Sequence, residues 1–242
     1  MSKRWPLDQL EQDILDESIS TQKLLRLFIV LGGRAFSDPL RKWAMNELQG
    51  YNGPSSEIPG YRTVGAPIQA DSRSPFWQAR GETISSLDLP EIARAKITEE
   101  LPIRFSIAKI QSLMNERKPT DPIKLSLPGG PELCRLMSFD PDRRERSVIV
   151  ESLYWAIHLS SLQNILDQVR NRLLDFSAEL RSNMTPGLRD PTVGQVHAAV
   201  QNIHISVGNN SPVNLTAPIY SERKDMPVRI PLLSRYSRLF RS

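Results

Sequence analysis

Residues 24–62, LLRLFIVLGGRAFSDPLRKWAMNELQGYNGPSSEIPGYR, restrict the fold more than any other stretch of the chain. They read as helix, glycine stop at Gly32 and Gly33, helix, glycine stop at Gly50, loop and strand. Ser20 or Thr21 can cap the first helix, and its run of Leu24, Leu25, Leu27, Phe28, Ile29, Val30 and Leu31 leaves almost no polar face, so it must be central. Asp38 before Pro39 restarts the helix, Asp accepting the free N–H groups and Pro costing nothing in the first turn. At 100° per residue, Leu40, Trp43, Ala44 and Leu48 share one arc, and Glu47 falls inside it. A carboxyl group on a core-facing arc requires a partner. Arg62, just beyond the loop, is the first choice and Arg34 the second, which predicts a structural ion pair rather than a general base.

The rest of the chain supplies further helices and a few short strands. Residues 7–19 place Leu7, Leu10, Ile14 and Leu15 at amphipathic spacing. Residues 61–70 read as a strand interrupted at Gly65 and Pro67, while the following stretch to Leu89 carries little pattern. Pro90 opens a helix over 91–100, and residues 103–114 pass from alternation to helical spacing. A short strand is expected at 123–127, a helical turn or two at 131–137, and a strand at 148–157. Ser160 with Gln163 has capping-box spacing and opens the clearest helix, near 160–182, with Leu162, Ile165, Leu166, Val169, Leu173, Phe176 and Leu180 in one stripe. The fold class expected is α+β, predominantly α-helical: an N-terminal helical hairpin and this long helix packed with short strands.

MTPGLRDP, residues 184–191, ends regular structure and divides a body, 1–183, from a linker and β-hairpin, 184–228, and a tail, 229–242. Residues 193–200 can be helical. Ile203, Ile205 and Val207 alternate before the Gly208–Ser211 turn, and a hairpin of this kind must dock or pair to be stable, which predicts a homo-oligomer. Residues 183–242 hold seven Lys or Arg against three acids, so this segment carries the whole net charge of +4. On a helical wheel Leu232, Leu233, Tyr236, Leu239 and Phe240 oppose Arg235, Arg238 and Arg241, with Arg229 just before them. Such a tail suits docking on a protein partner first, with an anionic membrane or nucleic acid as weaker alternatives.

No reaction is legible. The sequence has no glycine-rich phosphate loop, no G-x-S-x-G and no H-E-x-x-H, and His158, His197 and His204 lack useful mutual spacing. Asp140 and Asp142 in FDPDRRER are two apart but lack further oxygen ligands, so no metal site and no cofactor are expected. The lone Cys134 is assigned to packing, and its isolation agrees with a reducing compartment. No apolar run is long enough to span a bilayer and the N-terminus turns charged quickly, so a cytoplasmic protein is expected.

Three segments together carry a resemblance: LLRLFIVLGGRAFSDPLRKWAMNELQGY, EIPGYR and ILDQVRNRLLDFSAEL. They are similar to the AbiTii domain, a bacterial domain named from abortive-infection proteins that act against bacteriophage, over about residues 5–183. The resemblance implies that Trp43, Glu47, Leu48, Gly50, Tyr51, Tyr61 and Arg62 are signature positions and that the role is anti-phage defence. It implies no catalytic residue. The Gly/Asn-rich β-like tail of many members is reduced here to ISVGNNSPVN. Two classes follow: a non-enzymatic oligomerising sensor or effector acting through protein partners or a phage-derived trigger, and alternatively a toxic nuclease or other hydrolase using Glu47 with Asp140 or Asp142.

Overall fold

The computed structural model describes residues 6–54, 58–118, 120–140, 147–184 and 191–202. Within them the fold is α+β and mostly helical, with two small antiparallel sheets. The backbone divides into two units. The first comprises Met1–Gly60, Arg104–Ile110 and Ile165–Ser242, and the second Tyr61–Ile103 and Gln111–Asn164. The hairpin expected at 202–219 and the tail at 229–242 lie outside the described residues, apart from Asn202.

The first unit is helical. It contains α1 (Pro6–Leu15), α2 (Thr21–Arg34), α3 (Asp38–Gln49), the greater part of α7 (Leu159–Ser182) and α8 (Val193–Asn202). Leu7, Leu10 and Ile14 are buried, but Leu15 is exposed because α1 ends there, earlier than the amphipathic pattern suggests. All seven apolar stripe residues of α7 are buried. Each such side chain contributes about 1.5–3 kcal/mol before entropy is charged against it, so tertiary packing rather than propensity holds this helix. Phe176 meets Phe28 of α2 edge-to-face with centroids 5.1 Å apart. On the opposite flank of α7, Arg170 donates from Nε to the Ile14 carbonyl at 2.8 Å and from Nη1 to that of Ile19 at 3.0 Å. It thereby satisfies a carbonyl that the end of α1 leaves free and one in the connection that follows.

The α2–α3 turn differs from the expected glycine stop. Ser20 does cap α2, accepting from the Lys23 amide, but the helix continues through Gly32 and Gly33 to Arg34. Gly32 is needed for proximity: a Cβ there would lie 3.0 Å from the Arg41 amide nitrogen and 3.2 Å from the Ser37 carbonyl oxygen. The start of α3 can therefore approach its backbone. Ser37, without a side-chain cap bond, occupies the N-cap position, and Asp38 sits inside the first turn. The left-handed conformation falls on Phe36, with φ +52 and its side chain 76% exposed. His197 of α8 places Nε2 2.7 Å from the carbonyl oxygen of Ala35, beside this turn.

The second unit is built on sheet. β1 (Thr63–Gly65) pairs with β4 (Glu100–Pro102), and the larger sheet has the order β3-β2-β6-β5, all antiparallel. Its strands are β2 (Ile68–Arg73), β3 (Gln78–Ile84), β5 (Ile123–Ser126) and β6 (Ile149–Ile157). The strand β3 lies in the stretch that carried little pattern. One face of this sheet carries Ile68, Ala70, Val150 and Leu153 into a core shared with Leu133, Cys134 and Met137 of α6 (Gly130–Ser138). The core also takes Leu89, Ala93 and Ile97, from around the single-turn α4 (Glu91–Arg94), which is all that forms of the helix expected over 91–100. Between the sheets' strands in sequence lies α5 (Ile107–Asn115).

A non-glycine residue in the left-handed region costs on the order of 1 kcal/mol. Phe36→Gly is therefore expected to raise stability by about 0.5–1 kcal/mol, read as a higher melting temperature. A lower melting temperature would mean that the exposed ring packs more than it strains.

Candidate functional site

The signature residues are set by the end of α3. Trp43 and Glu47, one turn apart, are both buried, and Glu47 has no exposed surface at all. One further turn on, the buried Tyr51 donates its hydroxyl to Glu47 Oε1 at 2.6 Å. The chain reaches that position by stopping at Gly50, whose φ of +92 suits glycine alone. A Cβ on Gly50 would lie 2.7 Å from the carbonyl oxygen of Arg104. That close approach is then locked: the Tyr51 amide donates to the Arg104 carbonyl at 2.9 Å, and Arg104 Nη1 donates to the carbonyls of Tyr51 at 3.0 Å and Gly53 at 2.8 Å. The Gly-Tyr pair of the signature thus has a mechanical reason.

In the second unit Tyr61 and Arg62 lie in a 3-10 turn, Gly60–Arg62, that leads into β1. Arg62 also has no exposed surface. Its backbone continues the β1–β4 ladder, accepting from the Ile103 amide at 2.8 Å, while its Nη1 donates to the Ile103 carbonyl at 3.1 Å. Neither Glu47 nor Arg62 is confined to these bonds. No buried side-chain nitrogen or oxygen among the described residues lacks a hydrogen-bond partner. A guanidinium has five donors, and burying one in this way is tolerable only when they are answered.

A second polar cluster escaped the sequence reading. On the face of the larger sheet opposite its core, Asp71 Oδ1 accepts from the Tyr154 hydroxyl at 2.7 Å and the Gly81 amide at 2.8 Å. Its Oδ2 accepts from Ser152 Oγ at 3.1 Å and Lys124 Nζ at 3.2 Å. The pairing register shifts on both sides of β2 at this point, one extra residue in β3 and one in β6; the β3 irregularity brings the Gly81 amide to Asp71, whereas Ser152 is its direct cross-strand partner and presents its hydroxyl to the same face. Lys124 also lies over the Tyr154 ring, 4.1 Å from its centroid. Burial works against ionisation of Asp71, but the bonds from Tyr154, Gly81, Lys124 and Ser152 outweigh it and hold the carboxyl at about 2. With two donors on each oxygen, Asp71 has neither the basicity nor the free lone pairs to take a proton from a substrate. Tyr154, then Asp71, raise Lys124 above its ordinary value, so it is no neutral nucleophile. Aspartate is uncommon within a strand, and that anomaly was the available signal.

The remaining candidates do not converge. Asp140 is exposed at the end of α6, and Asp142 lies outside the described residues. Among the described residues no group of three or more His, Cys, Asp or Glu is arranged to hold a metal ion. His158 is exposed after β6, and His204 lies outside the described residues. Cys134 is buried in the second unit's core, where burial pushes its thiol up. The tail candidates Arg229, Leu232, Leu233, Arg235, Tyr236, Arg238, Leu239, Phe240 and Arg241 also fall outside the described residues. No helix among the described residues is long and apolar enough to cross a membrane.

Two substitutions test these assignments. Gly50→Ala sets a Cβ against backbone that cannot rotate away, and is expected to cost about 3 kcal/mol in denaturant unfolding; a cost below about 1 kcal/mol would show that the approach relaxes easily. Asp71 titrates below its unfolded value of 3.8, so its contribution is complete above that value and is lost as pH falls toward about 2. The difference corresponds to roughly 2 kcal/mol. Asp71→Asn should therefore be less stable than the unmodified chain at neutral pH, with the gap closing below pH 4. A gap independent of pH would show that shape, not charge, is what Asp71 supplies.

Residues 7–205 match the family model AbiTii. No curated protein and no solved structure matches the chain. The matched span is well over half of the sequence and contains Trp43, Glu47, Gly50, Tyr51, Tyr61 and Arg62 together with the long helix α7. The chain belongs to the AbiTii family.

Proposed function

We propose that this protein is an anti-phage defence module of the abortive-infection type that works without catalysis, by self-association and contact with protein partners or a phage-derived trigger. The family name supports the defence role. The observation that carries the non-enzymatic reading is the burial of the signature ionisable groups: Glu47 and Arg62 both have 0% exposure. A general base must come within hydrogen-bond reach of the proton it takes. Glu47 instead accepts from the Tyr51 hydroxyl at 2.6 Å, inside a closed core. Its role on this reading is to fix the end of α3.

The basic segment 229–242 supplies the partner contact in this proposal, through an apolar side of Leu232, Leu233, Tyr236, Leu239 and Phe240 and a cationic side of Arg235, Arg238 and Arg241. Oligomerisation follows from the β-prone segment before it, which needs a docking partner to be stable.

Phage challenge of cells expressing variants, paired with melting curves of the purified proteins, separates this reading from the hydrolase reading with Glu47, Asp140 or Asp142. Glu47→Gln leaves buried donors poorly answered and is expected to cost about 2–4 kcal/mol. Protection should fall only as far as folded protein does, and should recover at lower temperature. Removal of residues 229–242 should leave the melting temperature unchanged and abolish protection. Retained melting temperature with lost protection in Glu47→Gln, together with nucleic acid cleavage by the unmodified protein in magnesium or manganese, would establish an enzyme instead.

A further inference from the structure

We propose that the exposed apolar surface around Leu87 and Ile92 is the docking site for segment 229–242 of a second copy of this chain. This docking rests on the self-association proposed above and gives the basic segment its surface. After β3 the chain makes a 3-10 turn, Ser86–Asp88, and then the single turn of α4. Leu89 and Ala93 enter the core of the second unit, while Leu87 and Ile92 stand 71% and 73% exposed on either side of the Leu89–Pro90 link. The backbone between them is tied down. The Leu87 amide donates to Ser85 Oγ at 3.2 Å, the Ser85 amide to Asp88 Oδ2 at 2.9 Å, and Arg94 Nε to the Leu89 carbonyl at 2.8 Å.

Exposed aliphatic side chains are ordinary by themselves, and here the charge around them selects what covers them. Residues 82–100 hold five acids, Glu82, Asp88, Glu91, Glu99 and Glu100, against Arg94 and Lys96, a net charge of −3, and all seven are exposed. Asp88 and Glu91 adjoin Leu87 and Ile92 in sequence, and Glu99 Oε1 lies 3.4 Å from the Ser86 amide. Among the described residues none of the five acids is in an ion pair. Neighbouring elements do not neutralise them. Across the ladders Glu100 faces Gly65 and Glu82 faces Ala70. Helix α6, which shares the core beneath, adds the exposed Leu136 together with Glu132 and Arg135, whose charges cancel.

An apolar surface with an acidic surround repels phosphate, which excludes a nucleic-acid backbone and an anionic bilayer. Its complement lies in this chain. Segment 229–242 carries Arg229, Arg235, Arg238 and Arg241 with no acid, and its apolar residues have the spacing of a helix laid into a groove. Residues 203–228 separate it from the end of α8, a length that can span at most about 85 Å and so reaches a neighbouring copy. Two such contacts, exchanged between copies, close into a two-fold pair.

The test is light scattering of the full chain over a concentration series. The unmodified chain is expected to reach the mass of a pair. Leu87→Ser with Ile92→Ser, at side chains with little packing to lose, should leave the melting curve unchanged and raise the concentration needed for association at least about tenfold. Glu91→Arg with Glu99→Arg should do the same, and adding Arg235→Glu with Arg238→Glu should restore association. Mixing the Leu87→Ser, Ile92→Ser chain with one carrying Leu232→Ser, Leu239→Ser and Phe240→Ser should give association where each alone gives none, because one intact surface then meets one intact segment. Association of the unmodified chain that the surface substitutions leave unaltered would overturn this docking and leave self-association standing. The mass of one copy at every concentration would overturn both.

Discussion

Taking a carboxyl group and a guanidinium wholly out of water costs several kcal/mol for each unless every donor and acceptor is answered, and the signature region is arranged around that requirement. Glu47 has the Tyr51 hydroxyl one turn beyond it, and Arg62 has the Ile103 carbonyl across a strand ladder. The first arrangement needs the backbone to be brought unusually close to a neighbour before any side chain can act, and the second uses an ordinary strand ladder. In the helical unit Gly50 permits that approach, and Arg104 then ties residues 51 and 53 down from outside. The order of causes runs from glycine to backbone contact to buried hydrogen bond. Loss of the first link would leave the later ones without geometry.

Asp71 solves a similar problem differently. Burial is the largest single influence on its carboxyl, and four donors arriving from three strands together outweigh it. Irregular pairing with β3 brings in the Gly81 amide, and regular pairing with β6 sets Ser152 directly opposite. A saturated, strongly acidic carboxyl tethers strands and is a poor proton acceptor. Clusters of titratable side chains invite a catalytic reading. Here the donor inventory decides against it, since nothing on Asp71 remains for a substrate to engage.

Periodicity made the helical unit legible. The stripe on α7 is buried along its whole length, and the placement of Glu47 inside the core-facing arc of α3 is borne out because an angle of 100° per residue fixes a face regardless of what covers it. Glycine misled because local rules assign Gly32 and Gly33 to a helix end, whereas Gly32 answers to the start of α3 folding back onto it at Ser37 and Arg41. The strand β3 could not be seen, because as an edge strand it has no buried face to impose alternation on QARGETI. Arg104 and Asp71 were invisible for a further reason. Their importance lies in partners tens of residues away, and no spacing in the sequence encodes those.

The distribution of chemistry between interior and surface then bears on how such a protein can act. Ionisable groups of the family signature are inside, while exposed aromatic side chains stand at turns: Phe36 between α2 and α3, and Phe76 with Trp77 between β2 and β3. An enzyme of ordinary design reverses this, keeping reactive polar groups at an accessible cleft and apolar groups in the core. Phe36 sharpens the contrast, because its left-handed backbone would be easier for glycine, two of which lie only three and four residues earlier. An exposed ring on a left-handed backbone adds little to the core, so the conformation of Phe36 is imposed by the tight α2–α3 turn and not by burial of its side chain. A chain whose buried charges serve architecture and whose turns present apolar rings keeps its family signature as scaffold and leaves its exposed rings at the turns.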